Sequence, residues 1–585
     1  MRLLIDTTRK FGALLCLLML IYPTQSFAQE QVSVEINGID GDLLNNVQAL
    51  LSIYTLREQS SVQGFRVRYL HRQANAEIKK ALQPFGYYNP VINGSLKRVE
   101  QQWQAQYQIA PGPAVTIAEI NWQVTGEGEQ DPTFSSALNE LPLKTGQRFI
   151  HSRYQSAKTR FTNLAAERGY YQAEYAQHKV TIDVAKNTAS IDVTMDTGPR
   201  YQIGKISFSD APVEEALLRR YLNFQQGDDF STRELLDLQV ALIDSDYFAT
   251  VEVQPHWQQA TANQVPIHVE MTPNKRTHYR FGLGYGTDTG ARLTFGQDRR
   301  WVNDKGHRFN GLIQLSQVQS TGLLSYVIPG EVPQTDNYRL TAEVTDKSNE
   351  GQESTLYSIG AADQKRIGGW QRTYALDWQR EDFRLGEDIS GSSRFLIPST
   401  EWVLLRARDR LNINQGYRIS LGLKGGADNV LSDTNFATLT ANAKFVTSVS
   451  ERWRLLSRIE LGATYVDNFS LLPPSLRFFA GGDNSVRGYA YEQLGPRGDD
   501  GTVIGGRYLA VLSAEVDYRF ADNWRVAVFS DLGNAMIEPD EKLKQSVGFG
   551  IRWISPIGAV RLDLAQAIDE PGNPWRLHFT LGPDL

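Results

Sequence analysis

The chain has 585 residues, 22% of them charged, and a formal net charge of −6. That length asks for more than one core, and the near balance of 60 Lys+Arg against 66 Asp+Glu excludes the basic footprint of a nucleic-acid-binding protein. A single cysteine, Cys16, excludes a disulfide framework.

Residues 1–28 carry Arg2, Arg9 and Lys10, then the apolar run 11–21, then Ser26-Phe27-Ala28. This order of charge, apolar stretch and small residues is that of a secretory signal peptide, with an apolar run too short to span a bilayer. Its removal takes Cys16 with it and leaves no thiolate chemistry. No later segment is apolar for long enough to form a spanning helix. The exported chain is therefore either soluble or crosses a membrane as a β-barrel, the other structure that satisfies its own backbone in lipid.

One phrase then recurs about every 80 residues: Phe85-Gly86-Tyr87-Tyr88, Arg168-Gly169-Tyr170-Tyr171 and Ser245-Asp246-Tyr247-Phe248. Each copy closes a helical pattern (75–83, 152–167 and 232–243) and is followed by two alternating strands and a proline turn. The next unit opens on a short strand, 115–124 or 201–208. One unit thus reads strand, helix, helix, strand, strand, and the units run over 29–112, 113–199 and 200–274. The glycine suits a left-handed helix cap, and the aromatic pair after it is expected to be core. This order and size resemble POTRA domains, periplasmic binding modules whose resemblance implies partner contact by strand addition to a sheet edge.

After residue 275 the helical period vanishes. Sixteen alternating segments follow, the first starting near Arg280 and the last near Trp575, and an even count is what a single-chain bacterial barrel needs. In 508–520, Leu512, Ala514, Val516, Tyr518 and Phe520 share one face, while Ser513, Glu515, Asp517 and Arg519 share the other. Lipid outside and a wet lumen inside produce that alternation. Trp301, Trp370, Trp402, Trp453, Trp524, Trp553 and Trp575 sit near segment ends, as interfacial girdles require. The fold class expected is three α+β repeats followed by an all-β, 16-stranded antiparallel transmembrane barrel over 275–585.

No enzyme constellation is present: there is no nucleophile elbow, His-Glu-x-x-His helix or phosphate-binding glycine loop. The eight histidines show no metal-ligand spacing, and no cofactor is expected. The informative stretch is instead 467–506, between the eleventh and twelfth segments, with Val486-Arg487-Gly488-Tyr489 at its centre. That tetrapeptide, placed there, resembles the loop motif of the BamA and TamA superfamily of POTRA-plus-barrel proteins. The resemblance implies that the loop folds into the lumen and that Arg487 meets acids on the next two strands, at the matching positions Glu515 and Asp531. A guanidinium is always charged and holds a carboxylate bidentately, which suits it to pinning a loop in a confined lumen.

Three repeats and the ending Leu581-Gly582-Pro583-Asp584-Leu585 resemble the TamA branch, the outer-membrane subunits of the translocation and assembly module. Most such barrels end in an aromatic residue; here Phe579 is the displaced counterpart. The resemblance implies an outer-membrane protein with periplasmic N-terminal domains that assembles unfolded barrel substrates, autotransporters included. It also implies a TamB-type, inner-membrane-anchored periplasmic partner. From the residues themselves, a weak lateral seam is expected between the first strand (281–287) and the last (577–581). Gly282, Gly284 and Gly286 alternate with Phe281 on the one, and Gly582 and Pro583 follow Phe579 on the other. The rival functions are a two-partner-secretion-type transporter that exports a dedicated protein through its lumen, against which the repeat count and the lack of a plug helix after Ala28 weigh, and a passive porin, whose barrel would need no such loop motif.

Overall fold

The computed structural model describes residues 31–582 apart from 60, 61, 101, 388, 408–412, 556 and 557. The signal peptide and Pro583 lie outside the described residues.

Each repeat builds one three-stranded sheet with two helices. In the first, β1 (Gln31–Asn37), α1 (Gly41–Leu50), α2 (Gly64–Leu82), β2 (Val91–Val99) and β3 (Gln102–Ala110) give the order β1-β3-β2. β1 runs parallel to β3 and β2 antiparallel to it. A parallel pair needs a long crossover, which the helices supply. The central strand buries Trp103, Ala105, Tyr107 and Ile109 on alternate positions, against Val67, Ala74 and Ile78 of α2. The sequence shows only the second half of α2, because Arg66, Arg68, Arg72 and Gln73 mask its period and Val67 alone is buried in its first half.

The second repeat, β4 (Thr116–Thr125), α3 (Pro132–Asn139), α4 (His151–Glu167), β5 (Glu174–Asp183) and β6 (Thr188–Asp196), has the order β4-β6-β5. Asp131 caps α3 by accepting the Thr133 N–H, with Pro132 at the first helical position. The same carboxylate pairs with Arg168 at 3.0 Å and accepts the Tyr170 hydroxyl. Burial alone would raise its pKa; the Thr133 N–H and the Arg168 guanidinium outweigh that and hold it below the ordinary carboxylate value. The third repeat, β7 (Gln202–Phe208), α5 (Glu215–Arg219), α6 (Thr232–Asp244), β8 (Phe248–Pro255) and β9 (Gln264–Pro273), has the order β7-β9-β8.

The repeated phrase has a backbone cause. Gly86, Gly169 and Asp246 have φ of 87°, 84° and 64°, the left-handed turn that ends each second helix. A Cβ on Gly86 would come within 2.5 Å of the Phe149 carbonyl oxygen. In the first two copies the glycine carbonyl accepts the N–H of Val115 (2.8 Å) or Tyr201 (3.0 Å), at the start of the next repeat. The aromatics divide: Tyr170, Tyr247 and Phe248 are buried, while Tyr171 is exposed and stacks on Trp257 at 4.4 Å.

From β10 (Thr277–Gly286) to β25 (Trp575–Gly582) sixteen strands form one sheet in sequence order, each antiparallel to the next. Those used below are β11 (Gly290–Arg299), β18 (Gly416–Gly426), β19 (Phe436–Ser448), β20 (Trp453–Val466), β21 (Tyr508–Ala521), β22 (Trp524–Met536), β23 (Lys544–Ser555) and β24 (Gly558–Ala567). Phe281, Leu283 and Tyr285 are 79%, 89% and 65% exposed. They form the lipid-facing side of β10, which puts Gly282, Gly284 and Gly286 on the lumenal side. Trp453, Trp524, Trp553 and Trp575 are exposed as well, as a girdle requires. The polar face turns inward, and on it Asp517, Asp531, Arg552 and Asp563 are almost fully buried.

Candidate functional site

The segment between β20 and β21 folds back on itself inside the barrel. Arg477 shapes its base by donating to the carbonyls of Leu472 (2.6 Å), Ile504 (2.8 Å) and Phe469 (3.1 Å). Phe478 bridges Gly506, so the segment leaves and rejoins the wall at one place. Val486 is fully buried in a cluster with Ala480, Tyr489, Leu494, Val511, Ala535 and Ala567. Room for it comes from β22, where a Cβ on Gly533 would lie 3.0 Å from the Val486 side chain.

Arg487 meets both acids that the motif implies. Its Nε and Nη2 donate to the two oxygens of Asp531 at 2.8 and 2.9 Å, and its backbone N–H donates to the same carboxylate at 3.0 Å. Nη1 donates to Glu515 at 2.8 Å and to Asp563 of β24 at 3.2 Å. The guanidinium also lies 3.4 Å above the Phe529 ring. A second guanidinium closes the network: Arg552 of β23 donates to Glu515 at 2.8 Å and pairs with Asp563. A buried ion pair repays its desolvation only when the remaining donors and acceptors are matched. Here two guanidinium forks share three carboxylates on β21, β22 and β24.

The other two motif members bind the far wall. Gly488, at φ 95°, brings its N–H within 2.8 Å of Nε2 of His578 in β25. Tyr489 donates its hydroxyl to the Gln545 carbonyl at 3.0 Å. Because Nε2 of His578 accepts, Nδ1 carries the proton and donates to Asp483 of the loop. Asp483 accepts in turn from Thr287 Oγ1 at 2.9 Å, and its N–H donates to Asp288 at 2.7 Å. Thr287 and Asp288 form the turn between β10 and β11.

This relay stands where a ladder is absent. β10 and β25 are the two ends of the sheet order, and no backbone pairing joins them among the described residues. The expected pairing of 281–287 with 577–581 is therefore reduced to one bond, in which the Phe579 N–H donates to Thr287 Oγ1 at 3.1 Å. Gly582, the last described residue of β25, pairs with Ala559 of β24. Asp288, Asp483 and His578 are also the one group among the described residues whose ligand atoms, within 4.8 Å of one another, could hold a metal ion. Both imidazole nitrogens are already engaged, so the geometry is that of a hydrogen-bond relay.

Sequence reasoning missed Asp563, Arg552, Asp483 and His578. Asp563 sits at an inward position of 558–567, and its alternation could have exposed it. His578 is one of eight scattered histidines, and nothing local distinguishes it.

Comparison with known proteins fits this geometry. Residues 283–584 match the Omp85 superfamily domain, and residues 33–111 match the POTRA domain TamA domain 1. The outer membrane protein assembly factor BamA of Nitratidesulfovibrio vulgaris is 33% identical over 140 residues, 22% of this chain and 18% of that protein. The protein of the same name from Buchnera aphidicola is 28% identical over 285 residues, 46% of this chain and 45% of that one. The chain thus spans less than half the length of either relative. The crystal structure of BamA from Haemophilus ducreyi lacking POTRA domains 1-3 superposes with a TM-score of 0.67 at 18% identity, covering 80% of this chain and 99% of that one. It shares the fold. A barrel of this type with N-terminal POTRA modules resides in the outer membrane, with the modules in the periplasm. With more than half of its length matched by the family's barrel domain, the chain belongs to the Omp85 superfamily.

Proposed function

We propose that the protein assembles or translocates outer-membrane proteins, barrels such as autotransporters included, by opening the seam between β10 and β25. The observation that carries this is the break in the strand order, bridged by loop side chains in place of backbone hydrogen bonds. An opened seam offers unpaired N–H and C=O groups, the template on which an incoming strand can add. The names of the relatives support assembly as the activity. The match of the first repeat to a TamA POTRA model supports the TamA-type reading, with a TamB-type partner docking on a periplasmic sheet edge. The role is mechanical, with no chemical step. The loop occupying the lumen favours lateral release over export of a dedicated protein through an open channel.

The test is a disulfide across the seam, Tyr285→Cys with Leu581→Cys, in intact cells. Substrate assembly should stop on oxidation and return on reduction. Undiminished assembly by the oxidised barrel would sink lateral opening.

A further inference from the structure

The lumen holds a second set of charges that the loop does not use. Arg418 of β18 lies directly opposite Lys444 of β19, and Lys444 directly opposite Arg458 of β20. Directly opposed residues share a face. Lys444 and Arg458 line the cavity beneath the loop together with Arg487 and Arg561, so this face is the lumenal one. Three like charges in register across adjacent strands destabilise a sheet, and a wall meant only to be wet has no need of them.

Of the neighbouring acids, only Glu460 of β20 faces the row, as the ion-pair partner of Arg458; the others are held by the loop network. Glu515 and Asp563 are held by Arg487 and Arg552, and Asp483 by Thr287 and His578. Arg458 gives Nη2 to the Ser485 carbonyl. Its buried Nε makes no hydrogen bond, and its only charged partner there is the Glu460 carboxylate, in an ion pair at 3.6 Å. Among the described residues no hydrogen bond or ion pair reaches Lys444 or Arg418. Position matters too. The chain comes into β10 from the periplasmic repeats, so β18, β20 and β24 start, and β19 ends, at the periplasmic end of the barrel. Arg418, Lys444, Arg458 and Arg561 all lie in that half of their strands.

We propose that Arg418, Lys444 and Arg458, with Arg561 beside them, form a carboxylate-binding subsite in the periplasmic half of the lumen. Its ligand is the acidic side chains of an extended polypeptide that has entered from the periplasm. A lumen walled off from lipid by β18 to β20 favours a polypeptide over an anionic lipid. The assignment of a polypeptide ligand rests on the assembly reading above; the cationic row itself does not.

The experiment is equilibrium binding of fluorescent hexaglutamate and hexalysine to the full-length protein in nanodiscs, with excess inorganic phosphate as competitor. Hexaglutamate should bind, salt should weaken it, and Arg418→Gln with Lys444→Gln should lower its affinity at least about tenfold, each lost charge-assisted contact being worth several-fold or more. Lys444→Arg should retain binding, and a heat-modifiable gel shift identifies variants that still form the barrel. Hexalysine binding as tightly, or a folded double variant binding hexaglutamate unchanged, would overturn the subsite. Complete displacement by phosphate, where chloride of the same ionic strength leaves hexaglutamate bound, would reduce it to a small-anion site and overturn the polypeptide ligand. Binding is read without substrate assembly. An assembly-competent protein that ignores hexaglutamate therefore refutes the subsite alone, and a barrel that binds it but assembles nothing refutes the function alone.

Discussion

Two junctions of the same last strand are built from different materials. On one side β25 pairs with β24 from Gln566↔Trp575 to Ala559↔Gly582 along an unbroken backbone ladder. On the other side, among the described residues, it faces β10 with a single N–H bonded to a threonine hydroxyl, and the loop relay Thr287–Asp483–His578 supplies the rest. A ladder is cooperative and opens only as a whole. A side-chain relay can be released by moving one loop. The difference teaches that the loop, through Arg487 on β21, β22 and β24 and through Asp483 and Gly488 on the seam, couples the rigid wall to the weak one.

The strongest way to break this comparison is Arg487→Ala. It leaves Asp531 buried beside two further carboxylates, and removing one partner of a buried pair costs about 3–5 kcal/mol. The loop should become sensitive to external protease and assembly should fall, while the heat-modifiable gel shift shows a folded barrel. A loop still protected in that variant would mean that Val486 and Tyr489 suffice to hold it.

His578→Ala acts on the weak junction. It strands the Gly488 N–H and one side of Asp483, and each unsatisfied buried group costs about 1–3 kcal/mol. The disulfide between Tyr285→Cys and Leu581→Cys should then form at an altered rate, with the Arg487 network unchanged. An unaltered rate would place control of the seam elsewhere.

Outside the barrel, the second periplasmic repeat buries a smaller polar network around Asp131. Asp131→Asn keeps a capping oxygen but loses the charge paired with Arg168, and should lower the thermal stability of the second repeat by up to about 1 kcal/mol. The sign with pH follows from the lowered carboxyl pKa. The stabilisation is complete above the unfolded value of about 3.9 and is lost as pH falls through the lower folded one. Thermal melts of wild type and variant should therefore converge only in strong acid. Convergence at neutral pH would remove the charged form from the account.

The smallest effect is expected for Thr287→Val, which removes one hydroxyl from the seam at about 0.5–1.5 kcal/mol. Crosslinking across the seam should change modestly. If hydrogen exchange showed the Phe579 N–H equally protected in the variant, a backbone ladder would be holding the seam after all.

The three repeats, the sixteen strands and the loop between the eleventh and twelfth were legible in the residues alone. Each rests on a local rule: alternation at two residues, a helix period, and a glycine or aspartate at positive φ such as Gly86, Gly169 and Asp246. Where local polarity hid the period, as in the first half of α2, the element was cut short. Glu515 and Asp531 were reachable through the motif, because it specifies positions on neighbouring strands. Asp563, Arg552, Asp483 and His578 were not. Their partners lie up to 196 residues away in sequence, and only the closing of the barrel brings them together. The same holds for the Arg418, Lys444 and Arg458 row, which exists only once strand register is set. Local patterning decides which face of a strand is polar. Register and curvature decide which polar residues meet, and so where this barrel is tied shut and where it can part.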